Sequence, residues 1–447
     1  MKPTRQSGAD RLRSPAAPST GDGIALHVCI GNAAMLRGIY GAETATAFAL
    51  ALAQRIEAGL VDLGAVATID GDADRIWVGF PPEPLVRDRL PAIVDDLLLL
   101  LGSHPVVIDG TPLLAAVSIC VETAAPEPRR PASVAAAGDW RTKADMRVAV
   151  ATFEAIAEGR LYFLFQSITG LLDPGLTLYQ ECFTRIVDRT TDEELQTPRG
   201  FIPALERLGL TRRFDRAVIE GGIAFLRANP TARIGCNISA LSAIDDAWWT
   251  PVLDGLAAAP DVASRLVVEL TETTPRGDIA PILEVVRAFR RAGCRIAIDN
   301  FGAGFSGLRF AVAAAPDIIK IDACYVREQA AEAFGATYLG HLVGLAACLA
   351  TDVVVVGIEN DADLVRAREA AADWVQGRYV APASLSRTAM ASSWTPAAGR
   401  RPPRPGPSIA SAAIRERTAQ WARQSRTADE QPWSGGATLG APGEVAE

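Results

Sequence analysis

Residues Arg295 to Phe310 read RIAIDNFGAGFSGLRF, and the choice of fold turns on this stretch. Ile296, Ala297 and Ile298 form a short apolar run of the kind that makes a buried strand. Asp299 and Asn300 close it, and Gly302, Gly304 and Gly307 follow in a loop. A buried strand that hands a carboxylate to a glycine-rich loop is one way to build a metal or phosphate site. Taken alone, the stretch reads more simply as a tight turn with a helix-capping Asp. Its neighbours decide the matter, because they repeat the same arrangement.

Working outward, apolar runs occur at Leu161–Ile168, Leu176–Ile186, Arg233–Ile238, Leu266–Leu270, Ile296–Ile298, Ile318–Ile321, Val353–Ile358 and Trp374–Val380. Amphipathic segments separate most of them, at Ile202–Leu208, Arg216–Ala228, Ile279–Ala292, Ser306–Ala314, Ala331–Ala350 and Ala362–Ala371. Eight strands with intervening helices over ~225 residues predict an α/β fold, a (β/α)8 barrel. The first connection, Thr169 to Gly175, is too short for a helix and predicts a hairpin. Strands one and two would then be antiparallel.

Ahead of the barrel, residues 23–124 predict a small α+β domain. Ile24–Ile30 reads as a strand, Ala42–Leu60 as a helix, and Gly64–Ile69 with Arg75–Phe80 as a hairpin about Asp70-Gly71-Asp72. A second helix at Leu85–Leu101 precedes a strand pair, Val106–Ile108 with Leu113–Val121. Residues 125–140 have linker composition, and a helix from Asp145 to Glu158 leads into the barrel at 141–385. Residues 1–22 and 386–447 are rich in Pro, Ser, Gly and charge and are expected to be disordered. A net charge of -8 argues against a nucleic-acid polymer as partner. The seven cysteines are scattered without a CxxC pair, and most sit inside apolar runs, which reads as small core residues of a reducing compartment. With no apolar segment long enough for a bilayer, a cytoplasmic protein without membrane contact is expected.

In such a barrel, chemistry collects at the C-terminal ends of strands. Those ends carry Gln166, Glu181, Asn237, Glu269 with Glu272, Asp299 with Asn300, Lys320 with Asp322, and Gln376. Caps and surface charges explain any one of these, but not seven strand ends together. Oxygen ligands without His or Cys suit Mg²⁺ or Mn²⁺. A cation beside Lys320 and Arg185 points to a phosphate ester.

The segment from about Arg141 to Pro382 resembles the EAL family of cyclic di-GMP phosphodiesterases and their non-catalytic relatives. The signature strand reads Glu181-Cys182-Phe183-Thr184-Arg185; Asn237 falls in an Asn-x-Ser strand, and Glu269-Leu270-Thr271-Glu272 matches Glu-x-Thr-Glu. Lys320-Ile321-Asp322 and Gln376-Gly377 match two further motifs. The resemblance implies an EAL-type barrel in which Glu181, Asn237, Glu269 and Asp299 hold a first metal. It implies that Lys320 holds the attacking water, and that Gln166, Arg185, Asp322 and Gln376 contact cyclic di-GMP. Glu272 and Glu359 would support the surrounding loops.

Two positions depart from the family. The second metal normally takes a second Asp and a Glu; here Asn300 and Val356 stand in their places. Asn is neutral and Val cannot ligate, so the second site reads as dismantled. The glycine-rich loop also has Ala303 and Phe305 in place of the usual Thr and Tyr. The expectation is a barrel that binds cyclic di-GMP or a partner, including a second copy of the chain, with little or no hydrolysis. The alternatives are an active phosphodiesterase yielding linear pGpG, with Asp299, Asn300 and water holding a weak second ion, and a scaffold without nucleotide binding. The N-terminal domain resembles a degenerate GGDEF domain whose signature reads Asp72-Ala73-Asp74-Arg75-Ile76, with Arg75 replacing a catalytic acid. Cys29 and Gly31 stand where metal-binding aspartates belong. By this resemblance cyclase activity is not expected.

Overall fold

The computed structural model describes residues 25–70, 72–81, 84–102, 104–121, 139–187, 194–196, 198–242, 247–271, 279–303, 308–327 and 337–385. The two expected disordered ends, most of the linker, Glu272 and Phe305 lie outside the described residues.

In the N-terminal part, β1 (Ala25–Ile30), β2 (Val66–Ile69), β3 (Arg75–Gly79) and β6 (Val117–Val121) form one antiparallel sheet in the order β2-β3-β1-β6. Leu26, Val28 and Ile30 alternate into the core, as one covered sheet face requires. The helices Ala42–Gly59 and Pro84–Gly102 pack on the sheet. The expected hairpin about Asp70 is present as β2–β3.

The strand pair predicted for Val106–Ile108 and Leu113–Val121 is corrected. Two short strands, β4 (Val106–Ile108) and β5 (Thr111–Leu113), pair with each other, and β6 pairs with β1. Asn32 holds the chain open between β5 and β6. Its Nδ2 donates to the Leu114 carbonyl at 2.9 Å, and its Oδ1 accepts from the Ala116 N–H at 3.0 Å. Asn32 also precedes a helix, Ala33–Tyr40, that the apolar pattern did not reveal.

The barrel strands are β7 (Leu161–Gly170), β8 (Thr177–Val187), β10 (Ile234–Ile238), β11 (Leu266–Thr271), β12 (Arg295–Phe301), β13 (Ile318–Ile321), β14 (Asp352–Val356) and β15 (Trp374–Gln376). Short strands β9 (Glu194–Gln196) and β16 (Ser384–Leu385) pair outside the ring, on β8 and β7. From β8 to β15 each neighbouring pair is parallel. The first strand, β7, is antiparallel to both β8 and β15 and closes the ring. The short connection after Thr169 therefore does what its length required. The last two strands are shorter than the apolar runs suggested, ending at Val356 and Gln376.

Side chains alternate in and out of the barrel. Ile168, Tyr179, Val267, Ala297, Ile318 and Val354 face inward and pack into one apolar cluster. Below them, toward the strand starts, Asp352 joins three strands: Arg295 Nη2 lies 2.5 Å from its Oδ2, and Trp374 Nε1 donates to its Oδ1 at 2.9 Å. Two residues above the apolar cluster, the same inward face becomes polar.

The turn after β15 presses Gly377 onto the backbone of Ile358. A Cβ at Gly377 would lie 2.0 Å from the Ile358 carbonyl oxygen and 2.4 Å from its nitrogen. That contact is fixed because the Gly357 and Ile358 N–H groups both donate to the Gln376 carbonyl, at 2.8 and 3.0 Å. Gly377→Ala is therefore expected to lower stability by about 1–3 kcal/mol, the range for overpacking, measured as a fall in the urea midpoint.

Candidate functional site

The inward positions on the C-terminal side of the apolar cluster are Gln166, Glu181, Asn237, Glu269, Asp299, Lys320, Val356 and Gln376, one from each strand. Each lies two residues beyond an inward neighbour of the floor, or two before it on the reversed β7. Seven are polar, and Val356 alone is apolar. It packs against the apolar cluster beneath together with Trp374.

Lys320 is the centre of this ring. Its side chain is 1 % exposed, and its Nζ lies 2.6 Å from Glu181 Oε2, 2.5 Å from Glu269 Oε2 and 3.2 Å from Asp299 Oδ1. Glu181 takes further donors: Gln376 Nε2 reaches its Oε2 at 2.7 Å, and Asn237 Nδ2 its Oε1 at 2.8 Å. Gln376 Nε2 also approaches Gln166 Oε1 at 3.2 Å, and Gln166 Nε2 donates to the Ala381 carbonyl at 2.8 Å. Asn300 donates from Nδ2 to Asp299 Oδ2 at 3.1 Å. It has a φ of +56°, a left-handed conformation that Asn tolerates.

The unequal donor supply separates the carboxylates. Burial pushes Glu181 up, but the Lys320 charge and the donors from Lys320, Gln376 and Asn237 outweigh it and hold its carboxyl below the usual range. Glu269 is fully buried, and the Glu181 charge adds to that burial; Lys320 offsets only part, so its carboxyl is pushed up to about 8. Burial also raises Asp299, against the pull of Lys320. Lys320 is driven down by burial but lifted further by Asp299, Glu181 and Glu269, well above an ordinary lysine.

With the ammonium at the centre, no three His, Cys, Asp or Glu side chains among the described residues are arranged to hold a metal ion. The oxygens that would suit one are nevertheless there. Asn237 Oδ1, Glu269 Oε1 and Gln376 Oε1 are buried acceptors without a hydrogen-bond donor. Such orphaned atoms call for an explanation, and neutral or anionic oxygen donors fit a hard cation.

Other expected site residues lie outside the ring. Asp322 caps the short 3₁₀ turn Ala323–Tyr325, accepting from the Cys324 N–H at 2.7 Å. Arg185 is half-buried on β8 and donates to the Thr184 carbonyl at 2.8 Å. Glu359 turns away to Arg378 at 3.1 Å, and both side chains are exposed. Two residues that motif reading passed over belong to the site. Gly235 has no room for a side chain: a Cβ would meet Glu269 Oε1 at 2.1 Å and Tyr179 Cε2 at 2.4 Å. A lone glycine inside a strand is the signal that marks such a close approach. Asp215, on the helix Thr211–Ala228, accepts the Ser239 N–H at 2.7 Å, two residues past Asn237.

A family model described as the EAL domain matches residues 149–383, and the chain belongs to that family. Escherichia coli cyclic di-GMP phosphodiesterase PdeF is 25% identical over 231 residues, 51% of this chain and 30% of that protein. An uncharacterized protein of Mycobacterium tuberculosis is 25% identical over 341 residues, 69% of this chain and 53% of its own length. The chain thus spans about a third to a half of these relatives. Among solved structures, Vibrio cholerae LapD S helix-GGDEF-EAL bound to c-di-GMP is 17% identical and covers 81% of this chain and 90% of that one, with a TM-score of 0.47. The PaMucR phosphodiesterase–c-di-GMP complex is 23% identical, covering 54% of this chain and 98% of that one, with a TM-score of 0.46. No described helix is long and apolar enough to cross a membrane.

Asp215 supplies a pH test. Burial pushes its carboxyl up to about 7; the Ser239 N–H and the nearby Ser242 hydroxyl offset only part of this. Because the folded value exceeds the ordinary 3.8, the folded state holds a proton that the unfolded chain has released. This group's contribution to stability is therefore lost as pH rises through that interval, on the order of 4 kcal/mol in all. Asp215→Asn is expected to shrink the fall in urea midpoint between pH 5 and pH 8. An unchanged fall would place the titration elsewhere.

Proposed function

We propose that this EAL barrel binds cyclic di-GMP as a signalling receptor and hydrolyses it slowly or not at all. The observation that carries this reading is Val356, the one apolar member of a polar ring, packed on the floor where a ligand to a second ion would have to project. Asn300 compounds it, being neutral and donating its amide to Asp299. The kinship of the chain with a protein named as a cyclic di-GMP phosphodiesterase supports the ligand.

In this reading Glu181, Asn237, Glu269 and Asp299 hold one Mg²⁺ or Mn²⁺, and the orphaned oxygens of Asn237 and Glu269 fit that role. The ion, when bound, withdraws charge from a phosphodiester oxygen. Glu181 is the ligand already ionised by its surroundings, whereas Glu269 would release a proton on binding. In the same reading Lys320, whose Nζ lies among these oxygens, would orient a water by hydrogen bonding. Gln166, Arg185, Asp322 and Gln376 supply donors and an acceptor for guanine and phosphate edges. Glu272 and Glu359 would act on loops rather than on the ligand. The N-terminal unit is read as a degenerate GGDEF-like domain. Arg75, which replaces a catalytic acid in that reading, lies 3.8 Å from Asp70 and 3.9 Å from Asp74.

An active phosphodiesterase has one observation in its favour, the complete Lys320–carboxylate cluster. Stoichiometric incubation with cyclic di-GMP and Mn²⁺, followed by chromatography, separates the readings. Wild type is expected to leave the cyclic dinucleotide intact, and Asn300→Asp with Val356→Glu to release linear pGpG at least about a hundredfold faster. A wild type as fast as the double variant would overturn the receptor reading. Arg185→Ala is expected to weaken cyclic di-GMP binding by calorimetry roughly tenfold or more, the effect of losing one charge-assisted contact. If wild type shows no binding heat, the barrel is a scaffold.

A further inference from the structure

Asp215 and Arg216 are neighbours on the helix Thr211–Ala228 and grip the same connection at two points. Asp215 accepts the Ser239 N–H at 2.7 Å, where the chain leaves β10 just past Asn237. Arg216 Nη1 donates to the Trp248 carbonyl at 3.1 Å, where the described chain resumes before the helix Thr250–Ala257. Trp249 Nε1 closes the span by donating to the Ser242 carbonyl at 3.0 Å.

Arg216 is itself held from the other end of the molecule. Its Nη2 donates to Asp95 Oδ1 at 2.9 Å, and Asp95 belongs to the helix Pro84–Gly102 of the N-terminal unit. The pair is buried, with side-chain exposures of 7 % and 2 %. Its remaining fork goes to Glu220 at 2.9 Å, on the same helix. Around it the contact is rich in arginine: Arg213 lies over the Phe153 ring at 3.9 Å, and Arg212 and Arg216 lie over the Trp248 ring at 5.2 and 5.3 Å. Asp95 is the buried one of the two carboxylates on Arg216; without its charge the guanidinium keeps only the more exposed Glu220, and its place between the two units is weakened. A shift of Arg216 would bear on Trp248 through their hydrogen bond and, through the adjacent Asp215, on Ser239. Asn237, two residues upstream, gives its amide to Glu181.

We propose that Asp95, Arg216 and Asp215 are positioning residues through which the N-terminal unit sets the placement of Asn237, and with it the barrel's affinity for a cyclic dinucleotide. The ligand rests on the function proposed above; the positioning does not. Among the described residues, Asp145 and Arg207 form a second Asp–Arg contact of two 2.7 Å hydrogen bonds, with no bond to the 239–248 connection.

The test compares Asp95→Asn with Asp145→Asn in the full chain by amide hydrogen exchange, without ligand. Asp95→Asn is expected to speed exchange in the segment 237–242 about fivefold or more, the lower range of coupling between sites, while Asp145→Asn leaves it unchanged. No change in Asp95→Asn, or an equal change in both, would overturn the proposal. Calorimetry with cyclic di-GMP should then show a loss of affinity of similar size in Asp95→Asn; faster exchange with unaltered affinity would also overturn it. If wild type does not bind cyclic di-GMP, the function proposed above fails, and the exchange comparison still decides the positioning. If Asp95→Asn does not fold, Arg216→Lys serves, since an ammonium lacks the planar set of Nε, Nη1 and Nη2 donors with which Arg216 meets Glu220, Trp248 and Asp95.

Discussion

One ammonium holds the open end of this barrel together. Lys320 enters a space lined by Glu181, Glu269 and Asp299, and burial of any of these four charges alone would be prohibitive. Together they form a neutralising cluster whose remaining imbalance is relieved by keeping a proton on Glu269. The donor count explains why that residue and not Glu181 holds it. Glu181 receives Lys320, Gln376 and Asn237, while Glu269 Oε1 receives no donor. The rest of the ring arranges itself around this cluster, and Gly235 gives up its side chain to make room.

The same count gives physical meaning to Asn300 and Val356. With one ammonium and one retained proton, three carboxylates are close to balance. Two more acids at positions 300 and 356, both half-buried, would add two negative charges in and beside the ring and call for a further cation. Asn300 instead donates to Asp299, and Val356 extends the apolar floor, so the ring is self-consistent with the cation it already has.

Much of this was legible in the sequence, for identifiable reasons. Strand alternation put the ring residues one per strand end, and the brevity of Thr169–Gly175 fixed the reversed first strand. What escaped was held by contacts distant along the chain. The break at Leu114–Ala116 depends on Asn32, more than eighty residues away. The tight seat of Gly235 depends on Tyr179 and Glu269, which lie on the flanking strands. Glu359 matches a family motif, yet its position just beyond the end of β14 sends it outward to Arg378. A motif match fixes the place of a residue in the chain; the direction of its side chain follows from where the strand stops.

The helix Thr211–Ala228 shows how the two ends of that argument meet. Its apolar side, including Phe214, Val218 and Ile219, serves the core. Its two buried polar side chains serve neighbours with no common sequence signal: Asp215 a backbone N–H beside the ring, Arg216 a carboxylate in the N-terminal unit. Helix periodicity puts Asp215 on that apolar side, three and four residues from Val218 and Ile219, with Arg216 at its edge, so their burial is expected but their polarity is unexplained by the helix alone. It is explained if the helix is a shared wall. A buried ion pair across that wall is an unfavourable way to gain stability, since apolar residues of similar volume would serve as well. What it does give is a register: Arg216 reaches Asp95 through Nη2, Trp248 through Nη1 and Glu220 through Nε, and these three bonds orient the turn of helix that carries Asp215 to Ser239.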